Sequence, residues 1–259
     1  MDRKIALALA AVVALVAVAS AGIATAAKPT VVRAGTLVLK INGGVAPERL
    51  PKNRMAPIAL RISGNISTTD GAQPPAARLV IADFDRHGTV NARGLATCRA
   101  GELEARATGA AKAACRRAIV GSGKTTVRVA FPESAAFHST GPLVLFNGGV
   151  KRGVTTIYIH AYVNVPVPTA IVTRVKVKRI RKGRFGTRAI ARIPVIAGGS
   201  GSVTRFAMKI QRTFVHRGKR QSYLLARCAD GRFFAKGSVA FTGGPRLVGT
   251  VVRGCRIRG

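Results

Sequence analysis

The sequence predicts an all-β protein: one or two antiparallel β-sandwich domains, Ig-like in construction, behind a secretory signal peptide. Three observations predict it. Apolar and polar residues alternate with a period of two along many short segments, the pattern of strands with one buried face. Clusters rich in Gly, Asn and Pro separate those segments at turn-like intervals. The first 26 residues have the layout of an export leader.

In the leader, Arg3 and Lys4 give a positive start, and Ile5 to Val18 is unbroken apolar sequence. Ala24-Thr25-Ala26 then fits a small-residue cleavage site, with Ala19-Ser20-Ala21 as a second candidate. Cleavage makes the chain secreted or envelope-associated. Left uncleaved, Ile5 to Ala27 is long enough to span a bilayer, and this is the only route to the membrane that the sequence offers. Either way the positive end stays inside and the bulk of the chain faces outward.

The strand candidates run in order along the chain. Thr36 to Ile41, Ile58 to Ser67 and Leu79 to Phe84 come first, then Thr126 to Val129, Leu143 to Phe146 and Thr155 to Val163. Arg174-Val175-Lys176-Val177-Lys178 alternates cleanly, and Thr187 to Ile196 is next. Phe206, Met208 and Ile210 share one face of another, with Arg232 to Phe241 and Leu247 to Arg253 closing the series. Asn42-Gly43-Gly44, Asp70-Gly71, His87-Gly88, Asn147-Gly148-Gly149, Gly198 to Gly201 and Gly243-Gly244-Pro245 read as the turns. A helical stretch is expected near Gly101 to Ala114. Val165-Pro166-Val167-Pro168 reads as a boundary, because alternate prolines interrupt a ladder. It divides the chain into the signal peptide 1–26, a first domain 28–166 and a strongly basic second domain 167–259, against the alternative of one continuous sandwich.

Four cysteines, Cys98, Cys115, Cys228 and Cys255, fall two to each half. In an exported chain, local pairing of Cys98 with Cys115 and of Cys228 with Cys255 is expected among three connectivities. A four-thiolate metal site is the rival, but no Cys-x-x-Cys pair supports it. No cofactor and no metal is expected.

Charge is the strongest functional signal. The formal net charge is +34, and from Ser134 onward 24 Lys and Arg face a single acid, Asp230. Codon bias in a GC-rich genome explains an excess of Arg over Lys, but not the scarcity of Asp. Outside the membrane the natural counterparts are wall polymers, lipid headgroups and acidic polysaccharides. Two clusters concentrate the charge: Lys176, Lys178, Arg179, Arg181, Lys182 and Arg184 at one strand end, and Arg217, Lys219 and Arg220 at another. If both turns lie at one end of a sandwich they form a cradle for a polyanion. The absence of Trp disfavours stacking on single strands or sugars and leaves duplex-backbone contact open.

A faint internal repeat relates the halves. Leu95-Ala96-Thr97-Cys98-Arg99-Ala100-Gly101 and Leu225-Ala226-Arg227-Cys228-Ala229-Asp230-Gly231 share the form L-A-x-C-x-x-G. Around them, Arg86-His87-Gly88, Gly218-Lys219-Arg220-Gln221-Ser222-Tyr223-Leu224 and Cys255-Arg256-Ile257-Arg258 resemble a family of exported proteins of soil actinobacteria that has no established activity. The chain departs from that pattern at Ala229 and Asp230, where the family often carries proline after the cysteine. The resemblance implies export and a β-rich fold and implies no catalysis.

Catalytic motifs are weak. Ala118 to Thr125 loosely fits a phosphate-binding loop, but Thr125 to Pro132 reads as a strand where a helix is required, so Gly121-Ser122-Gly123 is expected to be a hairpin turn. Asp83, Asp85 and His87 alternate onto one strand face, and the simplest expectation is a solvated strand end with both acids answering nearby Arg. His138, His160 and His216 are isolated, and Asn65-Ile66-Ser67 is a glycosylation sequon with meaning only in a eukaryotic secretory route. The reading is therefore a non-enzymatic exported protein that binds anionic envelope or extracellular polymers. A hydrolase with a dispersed site and an extracellular nucleic-acid binder are the alternatives.

Overall fold

A computed structural model describes residues 28–258; the leader at 1–26 lies outside the described residues. Thr30–Ala34 (β1) and Leu37–Ala46 (β2) form the first hairpin, turned at Gly35 with φ +56°. Short Arg49–Pro51 (β3) and Ala56–Pro57 (β4) precede the long strand Ala59–Thr68 (β5). Ala77–Asp85 (β6) leads into Gly88–Val90 (β7). The helix Thr108–Ala114 (α1) lies within the expected stretch, with a single 3₁₀ turn at Ala100–Glu102 before it. Ile119–Val129 (β8), Phe137–Lys151 (β9), Val154–Asn164 (β10), Pro168–Lys182 (β11) and Phe185–Arg192 (β12) then meander antiparallel. Gly201–Ile210 (β13) is followed by the hairpin of Thr213–His216 (β14) and Lys219–Ser222 (β15), then by Leu224–Ala226 (β16). Arg232–Phe241 (β17), Arg246–Gly254 (β18) and Arg256–Arg258 (β19) complete the chain.

Twelve strands make one antiparallel sheet in the order β1-β2-β5-β13-β8-β9-β10-β11-β12-β6-β17-β18. The all-β class therefore holds. The division at residue 166 is not how this sheet is built. β13, from the second half, is inserted between β5 and β8, and β6, from the first half, lies between β12 and β17. Pro166 sits in the tight connection of a hairpin, with Asn164 opposite Pro168, and the ladder continues on both sides of it.

The sheet nearly closes on itself. β1 lies against β18, and a Cβ at Gly249 would stand 2.7 Å from Val32 Cγ2, so glycine lets the two edges approach. No ladder joins these edges; Arg253 bridges them instead. Its Nε donates to Gly43 O at 2.7 Å, and its Nη2 donates to Lys28 O at 3.3 Å and to the Asn42 side chain. Charge-assisted bonds of this kind are each worth about 1.5–3 kcal/mol where partly buried. Arg253→Ala should thus lower the unfolding free energy by about 2–3 kcal/mol in a denaturant titration. Arg253→Lys should recover only part of it, because an ammonium lacks the planar fork. A loss below about 0.5 kcal/mol, the range of ordinary surface changes, would show that packing alone holds the seam.

Alternation decides what the sheet encloses. Val120, Leu145, Ile157, Val175, Val177 and Ile210 point inward at one end. They meet the segments that cap that end: Leu50, Ile58, Leu95, Tyr223, Leu224 and Cys228. At the other end, Leu37, Leu39, Ile66, Val239, Phe241 and Leu247 form one cluster, and Val127, Val129, Val163, Val165 and Ile196 form another. Cross-strand neighbours on the outward face include Lys40, Arg61, Arg205, Lys209 and Lys124. Apolar inside and cationic outside is the reverse of a lipid-embedded barrel. Among the described residues no helix is long and apolar enough to cross a membrane.

Both disulfides pair locally, Cys98 with Cys115 and Cys228 with Cys255. The first pins the α1 segment to the outside of the sheet, where Leu103, Ala111 and Ala118 cover Val144 and Phe146. The second ties the residues after β16 to the end of β18 inside the cap. Two bridges fit an oxidising compartment.

Candidate functional site

The first cationic cluster sits on β11 and its turn into β12. Lys176 and Lys178 are exposed on the outward face, opposite Ile190 and Arg188. Arg179, Arg181 and Lys182 crowd the tip, which turns at Gly183 with φ +55°. Next to them, Arg174 lies over the Tyr158 ring at 5.7 Å. The second cluster occupies the tip of the β14–β15 hairpin, where His216 opposes Lys219 and the two-residue loop Arg217-Gly218 takes left-handed φ of +52° and +71°. Arg217, Lys219 and Arg220 are all exposed there. Both hairpins leave the same end of the sheet, but on different supports. β11–β12 is part of the main ladder, whereas β14–β15 is a separate two-stranded piece held beside residues 91–94 by the Asn91–Gln221 side-chain bond of 3.2 Å.

Arg184 is set apart from its neighbours in sequence. Its Nε donates to Asp85 Oδ2 at 3.1 Å, and its Nη2 to Asp230 Oδ2 at 2.6 Å and to Arg232 O at 3.2 Å. Its guanidinium also stacks on Phe234 at 3.9 Å. This arginine is a structural clamp between β6, β12 and β17, with its Nε and Nη2 donors already occupied.

Asp83 and Asp85 are answered by arginines, as the sequence suggested, but neither is solvated. Asp83 accepts two bonds from Arg188, at 2.6 and 2.7 Å, in the outward row where Lys236 is its other neighbour. The Arg188 hydrogen bonds hold its carboxyl below the usual range, against the opposing push of burial. Asp85 is 3 % exposed and accepts from the His87 amide at 3.0 Å and the Phe234 amide at 3.3 Å besides Arg184. Burial of both acids comes from the β6 position between β12 and β17, which sequence alone does not reveal. The carboxylates that could have served acid–base chemistry are thus fully engaged in ion pairs and backbone bonds.

The remaining candidates resolve structurally. Gly121-Ser122-Gly123 lies inside β8, not in a turn, and a Cβ at Gly123 would stand 2.1 Å from Ala207 O of β13. These glycines let two backbones approach; they do not cradle phosphate. His160 is fully buried with Nε2 2.9 Å from Arg106 O, and desolvation holds its pKa below the ordinary imidazole value. Cys98, Glu102 and Cys115 come within ligand distance of one another, but both sulfurs are consumed in their disulfide.

Strand order also assembles a cationic surface that runs of charge along the sequence do not disclose. Lys40, Arg61, Lys124, Arg128, Arg205 and Lys209 come from four separated stretches of chain and meet on the outward face of β2-β5-β13-β8. Each carries the polar half of an alternating strand, which was the available signal. What was missing was the neighbour relation, because β13 reaches its place between β5 and β8 from far along the chain. In comparisons with family models, curated proteins and solved structures, nothing matches this chain.

Proposed function

We propose that this is an exported, non-enzymatic protein that holds anionic envelope or extracellular polymers through Arg and Lys surfaces. The observation that carries the reading is how the scarce acids are used. Asp83, Asp85 and Asp230 are bound to Arg184 and Arg188, so they neutralise the clamp residues and leave the cationic faces bare. Bare like charges repel one another and are relieved by a polyanion that displaces small counterions. The two disulfides support a location outside the cytoplasm, in keeping with the leader-like start. The enclosed space of the sheet is filled by apolar side chains, which supports contact through the surface in place of an internal pocket.

Binding of the mature chain to isolated envelopes, or to a soluble anionic polymer, should weaken by more than about tenfold between roughly 50 and 300 mM salt, as exposed charges become screened. Affinity that is indifferent to salt would overturn the reading.

A further inference from the structure

We propose that the outward face of β2-β5-β13-β8-β9 is the principal polymer-binding surface, and that its ligand is a linear anionic glycopolymer. The inference rests on the polyanion reading above and deepens it, naming the surface and the ligand chemistry.

Two adjoining hollows, of about 490 and 460 Å³, lie on this face and share Asn65, Thr126, Thr140 and Arg205. Lys40, Lys124 and Arg205 line the first; Arg128 and Arg205 line the second; no Asp or Glu lines either. The register sets the pattern. One row across the strands reads Lys40, Asn65, Arg205, Thr126, Thr140. The next reads Asn42, Ser63, Ala207, Lys124, Pro142, and a third brings Arg61 directly opposite Lys209. With strands about 4.8 Å apart and same-face residues about 6.8 Å apart, cations recur roughly every 8–10 Å across a polar field.

Three features set this face apart from an ordinary solvated surface. Like charges directly opposite on neighbouring strands are destabilising, and Arg61 and Lys209 have no acid between them. The outward row on the far side of the sheet is different: there Asp83 lies between Arg188 and Lys236. Arg128 also has an Nε that is buried with no hydrogen-bond partner, while its Nη1 is fixed on Gly71 O at 2.9 Å. The bond to Gly71 O holds the guanidinium at the wall of the second hollow, where its accessible donors can meet an anionic oxygen. Finally, hydroxyl and amide groups, not aromatic rings, fill the spaces between cations. Thr126 and Thr140 hydroxyls are 2.9 Å apart and can exchange partners with sugar hydroxyls, while Phe206 packs its ring at Gly64. Carboxylate, phosphate or sulfate groups would meet Lys and Arg, and the sugar hydroxyls would meet Ser, Thr and Asn. Nucleobases would meet only the half-buried Phe206 ring, already packed at Gly64, and no exposed Phe, Tyr or Trp platform among the lining residues.

The test uses the full mature chain and two variants with equal loss of charge. One carries Lys40→Gln, Lys124→Gln and Arg205→Gln; the other carries Arg179→Gln, Arg181→Gln and Lys219→Gln. All six positions are exposed, and thermal unfolding monitors the fold of each variant. Affinities are measured for polygalacturonate and for duplex DNA at the same salt. The face variant should lose at least about tenfold in affinity for polygalacturonate, and the hairpin variant less than about threefold, since a dispersed rim charge contributes little. A second readout, acetylation of lysines in the folded chain, should show Lys40 and Lys124 protected by polygalacturonate and Lys176 and Lys178 unprotected. Equal losses in the two variants, with equal protection of all four lysines, would overturn this assignment while leaving general polyanion binding intact. Tighter binding to duplex DNA would overturn the glycopolymer. Failure of the unmodified chain to bind either polymer would overturn the underlying reading itself.

Discussion

Replacing Cys228 and Cys255 with alanine should lower the unfolding free energy by about 3–4 kcal/mol, the amount by which cross-linking a loop of this size restricts the unfolded chain. The bridge spans 27 residues, and both partners are buried, at 0 and 8 % exposure. It does more than close a loop. The Cys228 amide donates to Pro51 O and the Cys255 amide to Gly231 O, so the bridge lies where three chain segments converge. β19 then runs parallel to β3, pairing Ile257 with Leu50. Loss of the bridge should therefore expose the β3–β19 pair to proteolysis before the main sheet opens. Denaturant titration measures the first effect and timed proteolysis the second. A cost below about 1 kcal/mol, within the range of everyday substitutions, would show that the cap is held by packing and backbone bonds alone.

Asp85→Ala should cost about 3 kcal/mol in the same titration. Removing one partner of a buried charge pair strands the other and leaves amide donors unanswered. Here the stranded groups are Arg184 Nε and the amides of His87 and Phe234. Arg184 is partly exposed and keeps Asp230, which limits the loss to the lower part of the range for buried pairs. Asp85→Asn keeps the shape and one acceptor and should fall between. A neutral outcome for Asp85→Ala would mean that the clamp among β6, β12 and β17 does not hold the sheet together. Asp83 adds a pH dependence of known sign. Its folded pKa lies below the ordinary 3.8, so its contribution is present above that pH and is lost as pH falls through the lower folded value. Acid unfolding below pH 3.8 should be less steep in Asp83→Asn than in the unmodified chain, measured by circular dichroism.

Strands were legible where one face is buried and the other wet. Arg232–Phe241 has the predicted bounds, and β5, β6 and β10 differ from theirs by a residue or two. The local disulfides were legible too, because separations of 17 and 27 residues favour near neighbours. What misled was glycine. Asn42-Gly43-Gly44 and Asn147-Gly148-Gly149 have the composition of turns but lie inside β2 and β9. A Cβ at Gly148 would stand 2.7 Å from the Tyr158 ring and 2.9 Å from Thr156 Cγ2, so the residue is chosen for room. At Gly43 the carbonyl is the acceptor for Arg253 across the seam. Composition does not separate a glycine needed for a reversed backbone from one needed for close approach. The proline pair at 166 and 168 misled in the same way, marking a hairpin within the sheet. Of the candidate site, the exposed hairpin cations were visible as runs, while the cationic sheet face was not, because its members are distant in sequence and only strand order makes them neighbours.

The joint between β1 and β18 has a bearing on how the molecule comes into being. The first strand and the last long one complete each other, and β13 must be threaded between β5 and β8 that were synthesised long before it. Four of the eleven pairings in this sheet, β5–β13, β13–β8, β12–β6 and β6–β17, are thus remote along the polymer, which slows the route to the finished sheet and leaves unsatisfied edges until the later strands arrive. Closure of the seam waits on β18, because Arg253, which spans it, lies in the last of the long strands.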